Sequence, residues 1–177
     1  MTISGAATIT DAHLTKDYCG PITPAGVIVT VCPGPDDPFG PDSPKGTALP
    51  VPKYKTNWTA RYEFPLEQFQ AHVQGGLVYQ SSSWPDLRVV AINPVFPLDP
   101  PVPIRAALGL QQPYTTFDFT AGIETERWSL ELSILNAFDE RAQLYRYAEC
   151  TVQTCAAQTY IATNRPRTIG LRFGQKF

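Results

Sequence analysis

Two groups of side chains have the types and spacing that chemistry would use. Asp11, His13 and Asp17 bring two carboxylates and an imidazole close together in sequence, a donor set that suits several metals. No further ligand types stand nearby to complete a coordination sphere, so the trio reads as a polar strand end running into a loop. Glu63, Glu124 and Glu131, with Arg61, Arg127 and His72 beside them, could supply paired carboxylates for acid–base catalysis. That work needs a cleft that perturbs their pKa values. They fall instead on the polar face of alternating segments, where cross-strand charge pairs on a wet wall are the plainer reading. There is no Gly-x-Ser-x-Gly elbow and no phosphate-binding glycine loop. Asn57-Trp58-Thr59 matches a glycosylation acceptor, but inside a strand the match reads as chance. The expectation is a protein that is not an enzyme and holds no metal or cofactor.

The elements that must position these residues are strands. Period-two alternation, the mark of a strand with one apolar face, is clearest over residues 54–64. Tyr54, Thr56, Trp58, Ala60, Tyr62 and Phe64 point one way, and Lys55, Asn57, Thr59, Arg61 and Glu63 the other. Residues 69–80 repeat it, with Phe69, Ala71, Val73, Gly75, Leu77 and Tyr79 on one side. Residues 115–125 set Phe117, Phe119, Ala121 and Ile123 against Asp118, Thr120, Gly122 and Glu124. Trp128, Leu130, Leu132 and Ile134 form the next row, and Ile169, Leu171, Phe173 and Phe177 the last. Residues 2–10 are a weaker first strand, giving six.

The connections alternate as strictly as the side chains. Long loops cover residues 16–53, 81–113 and 139–166, the first two rich in Pro, and short turns join the other strands. Structureless loops longer than about 12–15 residues are uncommon in compact domains. Short periplasmic turns and long extracellular loops are the layout of an outer-membrane barrel. The expected girdles of lipid-facing aromatics are Phe64, Phe69 and Trp128 on the short-turn side and Tyr54, Tyr79 and Phe117 on the long-loop side. Tyr18, Phe39, Trp84, Phe96, Tyr145 and Tyr147 lie in or near the loops and read mainly as loop packing.

Composition agrees with a wall rather than a soluble surface. Charged residues make up 17% of the 177, against about 25% in ordinary soluble domains. The net charge of −2 argues against nucleic acid, which wants a basic face. No apolar run reaches the roughly 18 residues of a transmembrane helix. The start carries no signal peptide, which points either to the cytoplasm or to a missing N-terminal part, and the strand pattern favours the second. Cys19 and Cys32, and Cys150 and Cys155, fall in loop stretches without zinc-site spacing. They read as candidate loop disulfides, with the pairing open among three connectivities.

Three stretches resemble a known family. Residues 49–57, leading into Arg61-Tyr62-Glu63-Phe64, look like the lead-in to a late barrel strand of TonB-dependent receptors. Ile134-Leu135-Asn136-Ala137-Phe138-Asp139 resembles that family's Asn-Leu-Phe-Asp signature, with Ala137 in place of the usual Leu and no Tyr until Tyr145. The ending from Arg165 to Phe177 is similar to the family's Pro-Arg-x-x-Gly close. Its Leu171, Phe173 and Phe177 look like the signal read by the barrel-assembly machinery.

The resemblance implies that residues 1–177 are the C-terminal part of such a receptor, an all-β antiparallel transmembrane barrel segment in the bacterial outer membrane. Outer-membrane lipid and the assembly machinery would be its partners, and TonB would act only through an absent N-terminal part with a plug. The implied activity is active uptake of a scarce small-molecule ligand, siderophore-bound iron, cobalamin or carbohydrate. Two other readings stand beside it: an outer-membrane pore or adhesin that closes by oligomerisation, and a soluble β-sheet ligand binder.

Overall fold

The structure is a computed structural model that describes residues 1–19, 41–90, 103–148 and 158–175. Eight strands and one short helix form in chain order: β1 (Thr2–Ile9), β2 (Tyr54–Leu66), β3 (Phe69–Gln80), α1 (Ile104–Leu108), β4 (Tyr114–Glu124), β5 (Trp128–Leu135), β6 (Gln143–Tyr147), β7 (Tyr160–Thr163) and β8 (Thr168–Gln175). Six of them make one antiparallel sheet in the order β1-β2-β3-β4-β5-β8, and β6 and β7 make a second sheet of two strands.

The pairings of the large sheet bring its apolar rows into line. Ile3 stands opposite Ala60, Ala60 opposite Gly75, Gly75 opposite Phe119, Phe119 opposite Ile134 and Ile134 opposite Ile169. One face is therefore apolar from edge to edge, because side chains directly opposite each other share a face. The β2–β3 turn is tighter than the alternation suggests. Strand pairing runs on through Pro65 and Leu66 to Leu66–Phe69, and Glu67 takes a left-handed conformation at φ 55°.

This architecture corrects the expected barrel. β1 and β8 are both outer strands of the large sheet, and no pairing joins them. The fold is all-β with two separate, unclosed antiparallel sheets, not a closed transmembrane barrel. No helix among the described residues is long and apolar enough to cross a membrane. Two of the expected loops also hold structure of their own. α1 lies within 81–113, and the β6–β7 hairpin lies within 139–166. Their short lengths explain why the alternation overlooked them, since four or five residues hardly establish a period.

The buried apolar side chains are few and small. Among the described residues only Ala71, Leu108 and Ala142 are buried hydrophobics. Of these only Ala71 belongs to the large sheet; Leu108 ends α1 and Ala142 precedes β6. Among the described residues no second layer lies over the apolar face of the large sheet.

Candidate binding face

The apolar face carries no charged side chain on any of its six strands. Large groups stand half-exposed across it, among them Trp58, Tyr62, Phe119 and Leu132, and the β8 row of Ile169, Leu171 and Phe173 is 64–72% exposed. A shallow hollow of about 430 Å³ opens at its middle, where Ala60, Gly75 and Ala121 are small and Tyr62, Phe119 and Leu132 form the rim. At the β1 side the indole of Trp58 lies directly over Gly5, in the space that a Cβ there would occupy.

The six aromatic residues singled out from the sequence all fall on this face, in two groups. At the turn end Phe69 and Trp128 pack at 5.7 Å between ring centroids, and Phe64 stacks on Tyr62 at 5.5 Å. At the loop end Phe117 meets the edge of Phe138 at 5.3 Å, while Tyr54 lies beneath the Lys53 ammonium and Tyr79 pairs across to Thr56. Leu171 and Phe173 sit on the β8 edge; Phe177 lies outside the described residues.

A lipid environment for this face is the second correction. Among the described residues no strand pairs with the outer side of β1 or β8, which leaves backbone N–H and C=O groups at both edges of the sheet. Hydrocarbon offers them no partner, at a cost of several kcal/mol for each unsatisfied group. With no closed barrel, outer-membrane lipid and the barrel-assembly machinery lose their basis as partners, TonB-driven uptake loses its basis as an activity, and the outer membrane loses its basis as a location.

On the polar face Glu63, His72, Gly122, Glu131 and Arg172 stand opposite one another in a single cross-strand row. Arg61 donates to Glu63 at 2.7 Å, and this hydrogen bond, with the Arg61 charge, holds the Glu63 carboxyl below its ordinary value. His72 Nε2 is buried 3.5 Å from Glu131 Oε2 but makes no hydrogen bond. The imidazole fits there because Gly122, opposite on β4, has no side chain. Glu124 ends β4 and Arg127 lies in the turn before β5. In the first loop His13 pairs with Asp11 at 3.2 Å, while Asp17 turns away to accept from the Lys45 backbone N–H. No group of three potential metal ligands forms among the described residues.

Beyond one end of the sheet the loops form a layer held by side chains bonding to carbonyls. Arg105, at the start of α1, donates to the carbonyls of Ala48 at 2.7 Å, Asp86 at 3.3 Å and Leu87 at 3.4 Å. Its guanidinium also lies 5.3 Å above the Trp84 ring. Ser43, fully buried, donates to the Leu87 carbonyl. Gln111 accepts from the Ser83 hydroxyl and donates to the Leu144 carbonyl. Tyr145, Tyr147 and Tyr160 stack in a row on the hairpin. Cys19 is disulfide-bonded; Cys32, Cys150 and Cys155 lie outside the described residues, as do Phe39 and Phe96.

Asn136, taken from the sequence only as part of a signature, ties this layer to the sheet. It is buried with φ 50°. Its amide donates to the carbonyls of Glu140 and Arg165 and accepts from the Glu140 N–H. Its own N–H donates to Asp118. Asp139 in the same turn accepts the Arg167 N–H, which with the nearby Arg141 and Arg167 charges keeps its carboxyl below the ordinary range.

Compared with protein-family models, with curated proteins and with solved structures, the chain matches none of them. The resemblance to TonB-dependent receptors therefore has no support from relatives, and the open sheet removes its structural basis. What the fold defines is an all-β chain with one uncovered apolar face.

Proposed function

We propose that this chain is a non-catalytic binding domain that acts through the apolar face of its six-stranded sheet. The uncharged face, edge to edge, with large side chains half-exposed around a shallow hollow, carries this reading. Contiguous exposed apolar patches larger than a few hundred Å² mark interaction sites in monomeric proteins, and among the described residues no layer covers this face. Among the described residues the charged row on the polar face brings together no constellation of nucleophile, base and oxyanion donors, which supports binding over catalysis.

An apolar fluorescent dye, anilinonaphthalene sulfonate, tests the face directly when titrated into dilute protein. The wild type should bind it saturably. Phe119→Glu, at the rim of the hollow, should weaken binding about tenfold, the factor that about 1.4 kcal/mol gives. Glu131→Gln on the polar face should leave it unchanged. Equal binding by wild type and Phe119→Glu would sink the reading.

A further inference from the structure

We propose that the occupant of the apolar face is a second copy of this chain, packed sheet on sheet as a two-fold symmetric sandwich; the inference rests on the binding-face reading above. Size is the first argument. Six strands at about 4.8 Å spacing and about eight residues at about 3.3 Å rise give a footprint on the order of 750 Å². A standard stable interface covers about 800 Å² per partner. Electrostatics is the second. A self-complementary interface sets each patch against its own copy, so both of its halves carry only the charges of this one face. The six strands place none there.

A two-fold axis parallel to the strands at mid-sheet sets the arrangement: it places β8 of one copy over β1 of its partner and β5 over β2, with the two sheets about 10 Å apart. The small number of buried apolar side chains among the described residues fits the same arrangement, because the sandwich supplies an apolar layer over the face.

Sedimentation velocity over a wide concentration range, with far-ultraviolet circular dichroism of each variant, tests this. The wild type should sediment as a dimer that dissociates on dilution. Leu132→Glu and Leu171→Glu should be monomers with unchanged β-sheet signal. Ala6→Lys, on the β1 edge but the polar face, should remain a dimer. A dimer that survives both face substitutions would overturn the proposal in favour of edge pairing or loop contacts. A wild type that is monomeric throughout would also overturn it. In that case saturable dye binding at dilution leaves the binding face standing without the second copy, and no dye binding removes both. Should the face variants lose their β-sheet signal, the wild type still decides. Dye bound per chain should fall as protein concentration rises, and a constant value would refute the sandwich.

Discussion

The six-stranded sheet and the loop layer beyond its end are held together by different means. The sheet rests on backbone pairing between long neighbours, as in the twelve-residue register of β2 with β3. Its side chains on the apolar face meet mostly one another or nothing. In the loop layer the order is reversed. Outside the short β6–β7 hairpin, backbone pairing shrinks to isolated bridges such as His13–Ala48, Tyr18–Ser43 and Ser83–Gln111, and a few polar side chains hold several carbonyls each. The sheet should tolerate loss of almost any single side chain, whereas the loop layer depends on a few.

The largest effect should come where the two regions join. Asn136→Ala removes three side-chain hydrogen bonds at about 1 kcal/mol each. It also leaves alanine in a left-handed conformation at a further cost of about 1 kcal/mol. Chemical denaturation should show a loss of about 4 kcal/mol; a loss below about 1 kcal/mol would mean that the turn is not the joint described here.

Arg105→Ala is the next test and should act on one region only. Losing its charged hydrogen bonds to three carbonyls should cost about 2 kcal/mol. Amide exchange should rise at Val89, which donates to Asp42, while amides of β2 and β3 keep their protection. Equal acceleration in both regions would erase the distinction between them.

Within the sheet, two glycines give a sharper contrast. A methyl group at Gly122 would meet the His72 ring and the Leu130 carbonyl, whereas at Gly75 it would meet only Phe119 at ordinary contact distance, 3.8 Å. Gly122→Ala should therefore destabilise by about 1–2 kcal/mol through overpacking, and Gly75→Ala should change stability by less than about 0.5 kcal/mol. Thermal unfolding of the two variants decides it, and equal shifts would show that the polar and apolar faces are packed alike.

Acid should have the smallest effect and should concentrate in the loops. Partial burial pushes Asp86 up, but the hydrogen bonds and charge of Arg88 outweigh it, and its carboxyl lies below the ordinary 3.8. Asp139 is lowered in the same sense. A depressed carboxylate stabilises fully above its unfolded pKa and loses that contribution as pH falls through the folded value. Loop-layer stability should thus hold from neutrality down to about pH 4 and decline only below it. Asp86→Asn should flatten that decline, and an unchanged acid limb in the variant would remove Asp86 as its source.

The same division explains what the sequence made legible. The rows of β2 to β5 were readable because a period of two leaves a mark at every residue. What covers an apolar row leaves none. Lipid, a second sheet and a partner all select the same alternation, and the barrel reading failed at that point. The work of Arg105 was invisible because its acceptors are carbonyls, which every residue carries. Asn136 did give a signal, since asparagine is enriched in left-handed turns, but it was read as a family signature.

The indole of Trp58 resting on Gly5 has a consequence for how this chain can change over time. Any side chain at position 5 collides with the ring, yet the collision vanishes once position 58 is small. The two sites are therefore epistatic in the strict sense. Gly5→Ala is harmful beside Trp58 and tolerated beside alanine, so the order of the two substitutions determines whether the path between them is open.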